Sequence, residues 1–162
     1  MWLWQNVDHL TFDFVERVSG SEEFRNEKQF ASVAAELARS AEEQVESFRN
    51  RFSDLGAVAR CLLERKARPG YIWDSFNAGV VAGLVGETTL ARARFAAVLA
   101  EDPVADWIRE AQQTARYLSD LADDEAAIRE WTRDAVMSCR AKLSLGDLPE
   151  QVGGPLMSEG SL

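Results

Sequence analysis

Asp74-Ser75-Phe76-Asn77-Ala78-Gly79-Val80-Val81-Ala82-Gly83-Leu84-Val85-Gly86-Glu87-Thr88-Thr89-Leu90-Ala91 is the stretch on which the reading of the fold turns. Small and apolar residues follow one another from Ala78 to Gly86, a run far short of the ~20 needed to span a bilayer. Its glycines do not make a phosphate loop, because no Lys-Ser or Lys-Thr follows and no strand pattern precedes. Close helix packing explains the spacing better. A helix is expected from near Tyr71–Asp74 to about Val85, with Gly86 where a left-handed C-terminal cap is wanted. Thr88 or Thr89 can cap the next helix, whose apolar face is Leu90, Ala91, Phe95, Val98 and Leu99, and Asp102-Pro103 ends it.

Upstream, Phe30, Val33, Ala34, Leu37, Ala38, Ala41, Val45, Phe48 and Phe52 recur at helical steps and line one face. Asn26 followed by Gln29 reads as a capping box. Ser53 can cap a second helix carrying Leu55, Val58, Ala59, Leu62 and Leu63. The basic stretch Arg65-Lys66-Ala67-Arg68 would close that helix at its negative dipole end, with Pro69-Gly70 as the stop. Downstream, Val104, Trp107, Ile108, Ala111, Ala115 and Leu118 mark a fifth helix. Asp123 or Asp124 caps a sixth, with Ile128, Trp131, Ala135, Cys139 and Leu143 on its buried side.

The pattern therefore predicts an all-α protein of antiparallel helical hairpins, stacked as a short array or bundle. One domain covers residues 1–143, with hairpins over 26–67, 71–103 and 104–143 behind a lead segment, 1–25. Residues 1–20 fit a helix through Leu3, Val7, Leu10, Phe14 and Val18, with Asp8 as cap and Gly20 as stop. They fit a strand almost as well, since Leu10, Phe12 and Phe14 alternate with polar residues; the helix is slightly preferred. Residues 144–162, containing Gly153-Gly154-Pro155, read as a tail.

The residues 72–103 resemble a tetratricopeptide repeat, a helix-turn-helix unit of about 34 residues. Gly79 falls at the small site of the first helix, Gly86 at the turn, and Ala91 at the small site of the second. Phe95, Leu99 and Pro103 follow at the family's aromatic, apolar and terminating positions. Ser75 and Ala82 depart from it, standing where the family prefers bulky residues, and the flanking hairpins lack the signature. The resemblance implies that Trp73, Phe76 and Val80 face a concave groove that binds another protein or a peptide. Large aromatics such as Trp73 often anchor interfaces.

Composition narrows the functions further. Of 162 residues, 27 are acidic and 18 basic, giving a net charge of -9, which repels nucleic acid and anionic membrane. Neither is expected as a partner. No secretory signal pattern opens the chain, and Cys61 and Cys139 form no CxxC pair, so a reducing cytoplasm is the expected compartment.

Catalytic machinery is hard to find. His9 is the sole histidine, so nucleophile–His pairs and histidine-rich metal sites lack their parts. The cluster Asp120, Asp123, Asp124 and Glu125 reads as helix-start chemistry rather than a Mg²⁺ site, since no second cluster faces it. The basic run Arg60, Arg65, Lys66 and Arg68 reads as a solvated helix end. No catalytic residue, metal or cofactor is expected. The expectation is a non-enzymatic interaction or scaffold protein; the alternative is an acidic inhibitor or immunity-type protein that captures a basic toxin or enzyme. A single acidic face built from Asp106, Glu110, Asp120 and Asp124 would suit that alternative. Trp2 and Trp4, if exposed, would suit a homodimer contact.

Overall fold

The computed structural model describes residues 2–8, 14 and 22–146. Among these the chain is all-helical, with no strand. A 3-10 turn, Leu3–Gln5, precedes α1 (Glu27–Arg51), α2 (Leu55–Glu64), α3 (Ile72–Leu84), α4 (Thr88–Leu99), α5 (Asp106–Asp120) and α6 (Glu125–Lys142).

Helix α3 is the axis of the body. Every residue from Ile72 to Leu84 is buried except Trp73. A helix that is apolar all round must be covered on all sides, and α2, α4, α5 and α6 each pack against α3. The most extensive packing is with α4. A Cβ built on Gly79 would lie 2.6 Å from Cε1 of Phe95, and one on Gly83 would lie 2.5 Å from Cδ1 of Ile128. The two glycines thus let the Phe95 ring and the Ile128 side chain seat against the α3 backbone. Gly86 closes the helix at φ +77°, in the left-handed region expected of it. Around this axis Phe76, Val80, Phe95, Val98, Leu118 and Ile128 form the centre of the core.

Several local expectations shift by a residue or a role. Asn26 does cap α1, accepting from Gln29 N at 2.9 Å. The second helix is capped by Asp54 rather than Ser53: Asp54 Oδ1 accepts from Ala57 N at 2.7 Å, and Ser53 donates to the other carboxylate oxygen. That helix stops at Glu64, before the basic run, because Arg65 turns to extended backbone. Arg68 is drawn instead to Asp74 at the start of α3. Neither threonine caps α4 through its side chain; Thr88 Oγ1 donates to the Ala122 carbonyl, tying the head of α4 to the turn before α6. Asp124 caps α6, accepting from Ala127 N at 3.0 Å.

At the amino end, the 3-10 turn docks against α6. Whether residues 9–13 and 15–20 continue as helix or strand lies outside the described residues, as do His9 and the tail from residue 147. Helix α1 stands apart energetically, with no buried residue along its length. Its apolar stripe remains open at Phe30, 61% exposed, and at Leu37 and Val45. Among the described residues its last turn meets an aromatic cluster, where Phe48 and Phe52 stack and Phe52 meets Trp2 and Phe14.

Candidate functional site: an aromatic cavity with two matching walls

Trp73, the single α3 residue that escapes burial, opens onto a cavity of about 850 Å³. The floor is Trp73 and Phe76 of α3, whose rings meet edge to face at 5.3 Å. One wall comes from α5, through Trp107, Glu110, Ala111 and Thr114. The other comes from α6, through Trp131, Asp134, Ala135 and Ser138. Residues Trp4 to Asp8 close the third side, and Lys142 stands at one end.

The two walls carry a similar pattern of residues. Trp107-Ile108-Arg109-Glu110-Ala111-Gln112-Gln113-Thr114 on α5 matches Trp131-Thr132-Arg133-Asp134-Ala135-Val136-Met137-Ser138 on α6. Each offers an indole, then a carboxylate three residues on, a small residue at the fourth and a hydroxyl at the seventh. That spacing puts all four on one helical face. The small residues, Ala111 and Ala135, are buried and leave room between the walls. Trp107 is half exposed and stacks on Trp73 with centroids 6.1 Å apart.

The third side is held by hydrogen bonds rather than by regular structure. Asn77, fully buried in α3, accepts from Trp4 Nε1 at 3.0 Å and from Gln5 Nε2 at 3.3 Å. From α6, Lys142 Nζ donates to the Asn6 carbonyl at 2.9 Å and Cys139 Sγ contacts the Val7 carbonyl at 3.4 Å. Asn6 itself sits at φ 53°, and its buried Oδ1 has no hydrogen-bond partner among the described residues. Glu110 and Asp134 form no ion pair among those residues either. Asp8 adds a third carboxylate to the lining, so the cavity sets three acids against one lysine already engaged with a carbonyl.

Of the three groove residues the sequence suggests, Trp73 and Phe76 line the cavity, Phe76 with only 2% of its surface exposed. Val80 does not: it lies two turns into the core with no exposed surface, because α3 is covered on every side at that level. Trp107 and Trp131 are expected only as buried helix-face residues and Glu110 only on an acidic face, and Asp134 is not expected at a site at all. Their signal was present as a repeat at a spacing of 24 residues, shorter than a helical-hairpin unit. Of the acidic residues expected on one face, Asp106 pairs with Arg109, Asp124 caps α6 and Glu110 lines the cavity. Asp123 pairs with Arg92. Trp2 and Trp4 are half-buried and stacked at 5.0 Å.

A separate charged site lies at the head of α3. Asp74, buried, accepts from Arg68 N at 2.9 Å, Arg68 Nε at 2.8 Å and Arg68 Nη2 at 2.8 Å, with Arg65 at 3.8 Å. Burial pushes its pKa upward, but the bonds from Arg68 and the charges of both arginines outweigh it and hold the carboxyl below the ordinary aspartate range. This cluster anchors the α2–α3 connection.

No helix among the described residues is long and apolar enough to cross a membrane, and no group of three or more His, Cys, Asp or Glu there could hold a metal ion. Protein-family models, curated proteins and solved structures offer no match to the chain.

Proposed function

We propose that this chain is a non-enzymatic interaction protein that receives a segment of another protein in the cavity between α5 and α6. The observation that carries this reading is the Trp73–Trp107 stack in the cavity lining. Two indoles held half in water, over a buried Phe76, are the kind of rigid aromatic anchor on which protein interfaces concentrate their binding energy. The cavity falls within the ~300–1,000 Å³ range of ligand sites, and five aromatic residues line it among a larger number of polar and charged ones. The tetratricopeptide resemblance supports the same reading, since α3 and α5 contribute inner faces as the first helices of such hairpins do. An acidic inhibitor that captures a basic protein is the second reading. Glu110, Asp134 and Asp8 favour it, and it would use the same surface.

The test is selection of binding peptides from a random library on the full chain. Peptides should be enriched whose binding is lost in a Trp73→Ala/Trp107→Ala variant that keeps its far-UV circular dichroism. Enrichment of peptides that bind both proteins equally, or of none, contradicts the reading.

A further inference from the structure

We infer that the occupant of this cavity is a cationic side chain, arginine or lysine, carried on an extended segment of a partner protein. The inference rests on the cavity being a protein-binding site and adds the chemistry of what enters it.

Three independent features of the lining point to positive charge. The first is the duplicated wall. Trp107 with Glu110, and Trp131 with Asp134, place an indole and a carboxylate on each side of one space. An indole face attracts a cation through its quadrupole, and a carboxylate three residues away can pair with the same group. A planar guanidinium entering this space would have an indole and a carboxylate in the lining of either wall to pair with. The second is the imbalance of polar groups. Glu110 and Asp134 form no ion pair among the described residues, and Asn6 Oδ1 is a buried acceptor without a donor there. Lys142, which gives one of its three donors to the Asn6 carbonyl, is the one basic residue in the described lining. A donor-rich cation completes this set; an anionic ligand would meet the Glu110 and Asp134 carboxylates. The third is the net charge of -9, which draws a basic segment toward the protein at long range.

The duplicated motif also places the hydroxyls of Thr114 and Ser138 at matching positions, one turn beyond the small residues of each wall. Thr114 donates to the Glu110 carbonyl within its own helix, while Ser138 is exposed and makes no hydrogen bond among the described residues. The segment's backbone would pass between them, with the basic side chain reaching the indoles.

The experiment uses four synthetic peptides of equal length, differing at one central pair of positions: arginine, lysine, citrulline or glutamate. Citrulline keeps the shape of arginine without its charge. Binding to the full chain is read by intrinsic fluorescence, since four of the five tryptophans line the cavity. The arginine and lysine peptides should bind, with citrulline about tenfold weaker or worse and glutamate not at all. In a Glu110→Gln/Asp134→Asn variant, the arginine peptide should weaken about tenfold while the citrulline peptide is unchanged. Equal binding of arginine and citrulline peptides overturns the cationic assignment and leaves the groove reading standing. So does recovery of neutral library peptides that need Trp107 while the arginine peptide fails. Failure of every peptide, selected or designed, overturns both.

Discussion

Gly79 and Phe95 meet with no room for a side chain between them: the missing Cβ of the glycine would fall 2.6 Å from one ring carbon and 2.7 Å from the next. This contact sets how closely α4 lies against α3, and through α3 it sets where Trp73 and Phe76 stand.

Gly79→Ala is therefore expected to destabilise the fold although alanine is the better helix former. The propensity gain is ~1 kcal/mol, against ~1–3 kcal/mol or more for displacing a buried ring. Net destabilisation in urea unfolding is the expected outcome. Phe95→Ala opens the same contact and should cost ~3–5 kcal/mol. A Gly79→Ala protein more stable than the parent would show that the α3–α4 seam has slack.

Asp74 gives the stability a pH dependence of predictable sign. Its carboxyl is held below the ordinary aspartate range by Arg68 and Arg65, so on acidification the unfolded chain takes up the proton first. The stabilisation is full above the unfolded value of about 3.9 and is lost as the pH falls through the lower folded value. Asp74→Asn should remove this part of the acid sensitivity and cost ~1–3 kcal/mol at neutral pH. Parallel stability-versus-pH curves for parent and variant would contradict the assignment.

Helix α1 should tolerate what the core cannot. Leu37→Asp and Phe30→Ser strike an apolar stripe with no buried member and should change unfolding free energy by no more than ~0.5 kcal/mol. Leu118→Ala, within a fully buried side chain, should cost ~2–5 kcal/mol. A large cost at Leu37 in dilute solution would mean that the stripe is covered.

Helix positions and several of their caps were legible because each has a local cause. Asn26 and Asp124 cap through their own side chains, and Gly86 marks the left-handed turn. What proved hard to read is whatever depends on the far side of the molecule. The α1 stripe has the periodicity of a core face, yet periodicity reports only that apolar residues share a face, not that anything lies opposite. Arg65 and Arg68 looked like helix-end charges until Asp74, beyond the proline turn, claimed them. Val80 shares a helical face with Trp73 and Phe76, but depth along α3 decides that it is core. The cavity walls were visible only as two similar octets, Trp107–Thr114 and Trp131–Ser138, whose meaning depends on α5 and α6 facing one space.

The most direct measurement is the set of five indole N–H signals in an NMR titration of the full chain with the arginine peptide. Trp4, Trp73, Trp107 and Trp131 line the cavity, while Trp2 lies behind Trp4, stacked on its ring and packed against Phe14 and Phe52. Saturable shifts at Trp73, Trp107 and Trp131, larger than any at Trp2, are the predicted result. A bound peptide that leaves those three signals in place, or moves Trp2 alone, would contradict the account.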